Sequence, residues 1–532
     1  MALTVRNRIN HVLQHVEDGF TTVFGGRNNP LHQLGALTIF FFWIVLVTGL
    51  YLFVFYETSL SGAYDSLERI TYDQWWHAGV MRSLHRYASD AAVITMILHL
   101  SREFIRDRYR SFRWYSWFTG VPLLWMVYIF GITGYWMVWD ELAQYIALST
   151  AELLDVLPVF TDPMARNFLL QDLVSERFFT LMAFIHLVGL PIVLVLGLWF
   201  HLLRITQPKI NPPRTLMVGT FSALLVLSLL RPAESQGRAD LSVVPTELQI
   251  DWFYLPIYPI MDGIGPIALW FALIGLTLFM ASLPWLPPRG REPVAEVFLE
   301  NCTGCTFCAD DCPYGAIDMV TRSDGRRFPK EAKVNPTLCA SCGICTGSCP
   351  SSSPFRTVSP LVSGIEMPQG PMDGVKRQVD EAMRKVAEEE TKVLVVGCEY
   401  SVDVEGLDRA GAAPVRLPCT GMLPPSALDY ALRSCGADGV LLTGCDCADC
   451  HFRLGNRWTD ERLQKKRPPY LGGRSDRTRI RTVWTKSVGR KKVLDELDAL
   501  FADVQGRAAA GGAGKTNGVT GEGTTAREAD DE

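Results

Sequence analysis

Cysteine is absent from the first 301 residues of this 532-residue chain, and all 14 cysteines lie between Cys302 and Cys450. A secreted disulfide scaffold would not confine its cysteines to one window, whereas metal sites on a reducing, cytoplasmic face would. Histidine is scarce too, with 9 in total and only His451 beyond His201. No large excess of one charge exists: the formal net charge is −5, which makes no case for a nucleic-acid partner. No glycine-rich dinucleotide loop follows a strand, so no flavin or nicotinamide site is evident. The tail sequence AGGAGKT comes near to a phosphate loop, but Ala509 stands where the first glycine is required and no strand precedes it. Residues 1–30 are polar and charged without a short apolar core, so no cleavable signal peptide is expected.

Apolar sequence is what the first half has in quantity. Hydrophobic residues make up 48% of the chain and are concentrated before residue 290. Six stretches, 34–56, 79–103, 115–138, 177–203, 215–230 and 264–286, are long enough, or nearly so, to span a bilayer. Basic residues cluster in the N-terminal arm (Arg6, Arg8, Arg27), between the second and third stretches (Arg102 to Arg113), between the fourth and fifth (Arg204, Lys209, Arg214) and after the sixth (Arg289, Arg291). The intervening loops are acidic, with Glu57, Asp65 and Glu68 in one and Glu141, Glu152, Asp155 and Asp162 in the next. The positive-inside rule then puts both ends of the module, and both termini, in the cytoplasm. Six crossings require the same, so the expectation is a multi-pass protein of a bacterial or archaeal cytoplasmic membrane.

Two of these stretches carry paired histidines. His85 and His99 are fourteen residues apart in the second, and His186 and His201 fifteen apart in the fourth. Fourteen residues is close to four helical turns, about 21 Å of rise, so each pair lies on one helical face. Two such helices facing each other offer two axial ligands at each of two depths, as two bis-histidine haems require. The plainer reading is four histidines hydrogen-bonded between helices or lining a proton path, since an imidazole in lipid needs a polar partner or a metal.

Residues 1–285 resemble cytochrome b of the bc1 and b6f complexes. The resemblance rests on the histidines, on Gly35 and Gly49 in the first stretch, on Gly120 and Gly134 in the third, on Arg82 three residues before His85, and on GITGYWMVW at 131–139. It implies two b haems, with His85 and His186 on the outer one and His99 and His201 on the inner one. The glycines would make room for the porphyrins, and Arg82 would lie near a propionate. It also implies a quinone site where the family carries Pro-Glu-Trp-Tyr, which here reads Ile250-Asp251-Trp252-Phe253. Asp251, one methylene shorter than glutamate, would be the quinol proton acceptor beside Trp252. The alternative is an inherited loop with no quinone.

Residues 302–313 read CTGCTFCADDCP and 339–350 read CASCGICTGSCP. Each is Cys-x2-Cys-x2-Cys-x3-Cys-Pro, the bacterial two-cluster ferredoxin run, whose fourth cysteine ligates the other cluster. One [4Fe–4S] would thus take Cys302, Cys305, Cys308 and Cys349, and the other Cys339, Cys342, Cys345 and Cys312. Zinc ribbons use two pairs of cysteines and do not need this double pattern.

After a charged helical stretch at 375–390, strand-like runs alternate with loops: KVLVVG, APVRLP, GVLLTG and IRTVW. Cysteines sit just after three of them, where α/β folds build sites. Residues 391–505 resemble the delta subunit of methyl-viologen-reducing hydrogenase through Gly397-Cys398, Pro418-Cys419-x-Gly421, Gly444-Cys445-x4-Cys450-His451 and Gly455-Asn456. The resemblance implies a [2Fe–2S] cluster on Cys398, Cys419, Cys445 and Cys450. Cys447 is an alternative to Cys445, His451 is either a ligand or a structural neighbour, and Cys435 is expected to be a buried thiol.

The expected architecture is therefore an all-α six-helix cytochrome b bundle in the membrane (1–290), an α+β bacterial-type ferredoxin (291–360), a linker helix (361–390), a flavodoxin-like α/β iron–sulfur domain (391–505) and a disordered tail (506–532). The function this implies is electron transfer between a cytoplasmic flavoprotein and membrane quinone, as the quinone-reactive subunit of an oxidoreductase. The partner would be a heterodisulfide-reductase-A-like protein or another FAD- or NAD-dependent dehydrogenase. Such a chain would work in a hetero-oligomer, with dimerisation through the cytochrome b module as an option. Two other readings stand beside it: a heterodisulfide-reductase-like or hydrogenase-linked membrane complex, and a membrane anchor that senses redox state without turnover.

Overall fold

Apolar runs with no polar face become helices in lipid because every backbone N–H and C=O must then be satisfied within its own segment. The computed structural model describes residues 2–158, 176–287, 292–352, 360–446, 448–472 and 476–513. It divides into two units, Met1–Glu292 and Pro293–Glu532. The principal helices of the first unit are α1 (Ala2–Phe24), α2 (Leu34–Phe53), α3 (Val80–Ile105), α4 (Trp114–Trp136), α5 (Glu141–Asp155), α6 (Glu176–Phe184), α7 (Leu190–Leu202), α8 (Arg214–Leu230) and α9 (Pro266–Ser282). A π-helical turn, Ile185–Gly189, joins α6 to α7 into one rod.

Among the described residues four stretches are long and apolar enough to cross a membrane: Leu34–Phe53, Ser111–Trp136, Phe179–Leu202 and Pro266–Trp285. The other two expected spans are helices of a different character. α8 is apolar but only 17 residues long. α3 runs for 26 residues, yet it carries Arg82, His85, Arg86, Asp90, His99, Arg102 and Glu103 and buries much of that polarity inside the unit. Outward faces are apolar and exposed, as at Val47, Leu50, Val195 and Phe271, which suits lipid rather than water as the neighbour.

The second unit is built on strands. β1 (Glu296–Val297) pairs antiparallel with β4 (Ile365–Glu366), and β2 (Ile317–Thr321) with β3 (Lys330–Val334). These surround two short helices, α10 (Phe307–Asp310) and α11 (Ile344–Ser348). Beyond α12 (Met372–Lys385), four parallel strands follow: β5 (Val393–Cys398), β6 (Ala412–Leu417), β7 (Gly439–Gly444) and β8 (Ile480–Trp484), in the order β6-β5-β7-β8. β5 and β7 are buried along their whole length, which is why both read as unbroken apolar runs. Helices α13 (Pro425–Arg433), α14 (Gly455–Leu463) and α15 (Arg490–Ala513) complete the layers.

The sheet has a core on each face. Val393, Val395, Leu441 and Val483 pack with Val493, Leu497 and Leu500 of α15 on one side. Leu394, Val396, Val415 and Leu442 on the other side belong to a core that also contains Val375 and Val379 of α12 and Cys302, Cys308, Ile317 and Cys345. The cysteine-rich segment and the parallel sheet are therefore one packed body.

Candidate metal centres

The four histidines and four glycines singled out in the sequence meet in pairs. A β-carbon built on Gly49 would lie 3.0 Å from His85 Cε1, on Gly134 3.1 Å from His186, on Gly120 3.3 Å from His201, and on Gly35 3.4 Å from His99. α2 thus runs antiparallel to α3, and α4 to the α6–α7 rod. His186 lies within electrostatic reach of His85, and His201 of His99, so the rings also pair across the bundle. All four are half-buried.

The fifteen-residue spacing has a local cause. His186 sits in the π-helical turn, which takes one residue more per turn than an α-helix. The extra residue is absorbed there, and His186 and His201 face glycines fourteen apart just as His85 and His99 do.

Three rings are oriented by threonines that sequence reasoning missed. Thr48 Oγ1 lies 3.1 Å from His85 Nδ1, Thr133 Oγ1 3.0 Å from His186 Nδ1, and Thr119 Oγ1 3.3 Å from His201 Nδ1. Each hydroxyl donates its single hydrogen to a carbonyl four residues back: Thr48 to Ile44 at 2.7 Å, Thr133 to Ile129 at 2.9 Å and Thr119 to Tyr115 at 2.8 Å. With that proton committed, the oxygen accepts from Nδ1–H, which leaves Nε2 unprotonated and free to bind a metal. The signal was in the sequence as a Thr-Gly dipeptide at 48–49, 119–120 and 133–134. Leu34 precedes Gly35, so the device serves three of the four rings. Glycine cradle and tautomer both suit an axially ligated flat ring, and these residues fit haem.

Arg82 is buried, its guanidinium held by Thr71 and, at 2.7 Å, by Ser235 Oγ. Asp251 is buried as well. Arg86 donates to its Oδ2 at 2.5 Å, Tyr135 donates to the same oxygen, and Phe253 N–H donates to Oδ1 at 2.7 Å. Arg86 also pairs with Asp90. Asp251 is thus an ion-paired carboxylate, while the neighbouring Trp252 is 69% exposed. Arg86 was missed; its signal was a cation inside an apolar span, which needs a partner.

In the second unit, one cavity is lined by Cys302, Cys305, Cys308 and Cys349, with Met319 and Ile365 beside them. The distant Cys349 thus joins the first run. Cys312 in turn lies within electrostatic reach of Cys339, Cys342 and Cys345. Both loops bend through left-handed backbone at matching places: Gly304 and Ser341, then Thr306 and Gly343. That curvature wraps each loop around a centre, and at Gly304 a β-carbon would meet Lys330 O at 2.4 Å.

Cys398 ends β5, and Cys419 and Cys445 follow the ends of β6 and β7, on the carboxyl edge of the sheet where its strand order reverses. Cys398 Sγ and Cys445 Sγ are 3.5 Å apart, and Cys450 joins them in a small buried cluster. A β-carbon on Gly455 would lie 2.2 Å from Cys419 Sγ and 3.8 Å from Cys450 Sγ, so a glycine opens the site where those two thiols meet. Backbone N–H groups of Tyr400 and His451 donate to Cys398 and Cys445 at 3.3 and 3.5 Å. The His451 ring stacks on Tyr400 at 3.5 Å. Cys447 lies outside the described residues. Cys435 stands apart, half-buried rather than buried, and donates to Asp380 at 3.5 Å.

Burial pushes the Cys308 thiol up to about 12 and those of Cys345 and Cys419 well above their usual value. Thiols this reluctant to ionise become thiolates when a cation enters, so loading releases protons. Three convergent sets of buried or half-buried sulfur fit iron–sulfur centres.

Three families match the chain. The family described as Cytochrome b/b6/petB matches residues 25–209, the 4Fe-4S dicluster domain residues 301–353, and the methyl-viologen-reducing hydrogenase delta subunit residues 397–506. In order along the chain, it resembles cytochrome b, a dicluster ferredoxin and a hydrogenase delta subunit. Cytochrome b6 of Synechococcus sp. (strain CC9311) is 26% identical over 202 residues, which cover 38% of this chain and 92% of that protein. A hyperthermophilic respiratory Complex III structure aligns at 18% identity and a TM-score of 0.38, over 48% of this chain and 75% of the other. The matches and the apolar helices support a multi-pass membrane protein of electron transport, with haem and [4Fe–4S] chemistry.

Proposed function

We propose that this chain is the membrane electron-transfer subunit of an oxidoreductase complex, linking a cytoplasmic flavoprotein dehydrogenase to the quinone pool. The observation that carries the reading is the histidine arrangement, in which hydrogen bonding leaves Nε2 of His85, His186 and His201 available for a metal. His85 with His186 and His99 with His201 would hold two b haems in a six-span module with both termini cytoplasmic. The two crossed cysteine sets would hold two [4Fe–4S] clusters, and Cys398, Cys419, Cys445 and Cys450 one [2Fe–2S]. We class the last domain as flavodoxin-like, because its parallel order β6-β5-β7-β8 follows the first four strands of that fold. When bound, the haems and clusters supply one-electron relays; the chain's own residues orient ligands, exclude water and hold charge.

The test is cofactor stoichiometry together with quinone turnover. Purified protein should carry about two haems and about ten non-haem irons. About eight irons would remove the third cluster. Asp251→Asn should slow quinone turnover if the outer site works. The exchangeable proton would then have to reach a carboxylate held by Arg86 and Tyr135, so the effect should be partial. Unchanged rates would leave only the opposite side of the bundle for quinone. A second reading, a hydrogenase-linked or heterodisulfide-reductase-like complex, is favoured by the delta-subunit match over residues 397–506. A pull-down of the cytoplasmic partner decides between the two.

A further inference from the structure

The C-terminal thiol set could in principle face either cluster of the ferredoxin segment. Its Cys419 loop continues into Gly421, whose built β-carbon would lie 3.1 Å from Ile344 Cγ1 and 3.0 Å from Gly455 Cα. Ile344 is fully buried, and the next residue is Cys345. Three residues further along α11, a β-carbon on Gly347 would stand 2.3 Å from Gly421 O, so the two backbones touch. The cavity of the Cys302 set, by contrast, is lined among the described residues only by positions 302 to 365, none from the parallel sheet.

A buried arginine fixes this contact. Arg462 of α14 is 1% exposed. It donates to Gly421 O at 2.8 Å, to Asp311 Oδ2 at 2.5 Å and to Ser348 Oγ at 2.7 Å. Asp311 precedes Cys312 and Ser348 precedes Cys349, the two cysteines that cross between runs. Arg467 bonds the other oxygen of Asp311, and Trp458 donates to its carbonyl at 3.0 Å. Buried ion pairs are seldom more stabilising than apolar packing of the same volume, and their best-attested use is to set register.

We propose that Arg462 is a positioning residue that locks the Cys419 loop onto α11, so that the centre on Cys312, Cys339, Cys342 and Cys345 is the one that exchanges electrons with the C-terminal centre. This rests on the proposed function, since it takes those thiol sets to hold clusters. The exchange moves one electron and no proton: one centre is oxidised as its neighbour is reduced. The centre on Cys302, Cys305, Cys308 and Cys349 then forms the far end of the three.

The experiment is electron paramagnetic resonance of the full-length chain reduced with dithionite, which also makes bis-histidine ferrous haem diamagnetic. In the wild type, the C-terminal signal should be broadened by its reduced neighbour. Cys342→Ser should abolish that broadening, and Cys305→Ser should leave it; the reverse pattern overturns the assignment. Arg462→Met should weaken the broadening at unchanged iron content, and Arg462→Lys should restore part of it. Unchanged broadening in Arg462→Met overturns the positioning role, even should a serine variant fail to accumulate. A wild-type spectrum without the C-terminal signal would instead refute the third cluster, and this inference with it, while leaving the haems and the [4Fe–4S] pair standing.

Discussion

The histidines of the membrane unit sit on helices, and three of their rings are already turned by a threonine on a neighbouring helix. The two ferredoxin-type cysteine runs of the second unit wrap through left-handed backbone into short helices, and each set is completed by a residue from the other run. In the first case the protein scaffold defines the site, and a cofactor would settle into it. In the second, the cofactor would itself join the segments that surround it, as metal binding and folding are coupled when ligands come from flexible chain. The two halves of one electron carrier should therefore respond very differently to the loss of a single ligand.

The largest effect is expected from Cys345→Ser, because Cys345 belongs to the core shared by the ferredoxin segment and the sheet. We predict loss of about four irons and a second unit open to limited proteolysis; full iron content would abolish the contrast. His85→Ala should be milder in fold and equally clear in content. About half the b-type haem absorbance should vanish while helical circular dichroism stays unchanged. A collapse of helicity would mean that the haem, not the scaffold, holds the bundle. Smallest is Thr119→Val, which removes one hydrogen bond worth about 1 kcal/mol without removing a ligand. Haem content should persist while one midpoint potential rises slightly, since an imidazole that loses one of its acceptors is a poorer donor. Thr119→Ser should restore the value, and an unmoved potential would separate the threonine from the site.

What could be read along the chain was whatever repeats at short range. Fourteen-residue spacings, glycines matched to them and cysteine runs are local patterns, and they name the residues that the structure then brings together. The threonine bonds were hidden because a Thr-Gly pair says nothing until an imidazole from 37, 53 or 82 residues away stands beside it. The pairing of Arg86 with Asp251 spans 165 residues, and that of Arg462 with Asp311 spans 151. No periodicity encodes such contacts. The π-helical turn at His186 was half legible: the odd spacing was visible, but not the backbone that accommodates it. α3 shows the reverse: the sequence reads as a span over 79–103, yet the helix there is too polar to qualify by hydropathy.

The core that joins the cysteine-rich segment to the parallel sheet has a consequence for kinetics in the cell. A free ferredoxin is a messenger, and its delivery rate depends on how many copies are present and how fast they diffuse. Here the segment shares buried side chains with its neighbour and cannot leave. Its local concentration is set by the fold, much as a linker sets it for tethered modules, and with no wandering state between encounters. Exchange between these centres should then be insensitive to dilution or crowding, so throughput would be governed by how many complexes the membrane holds.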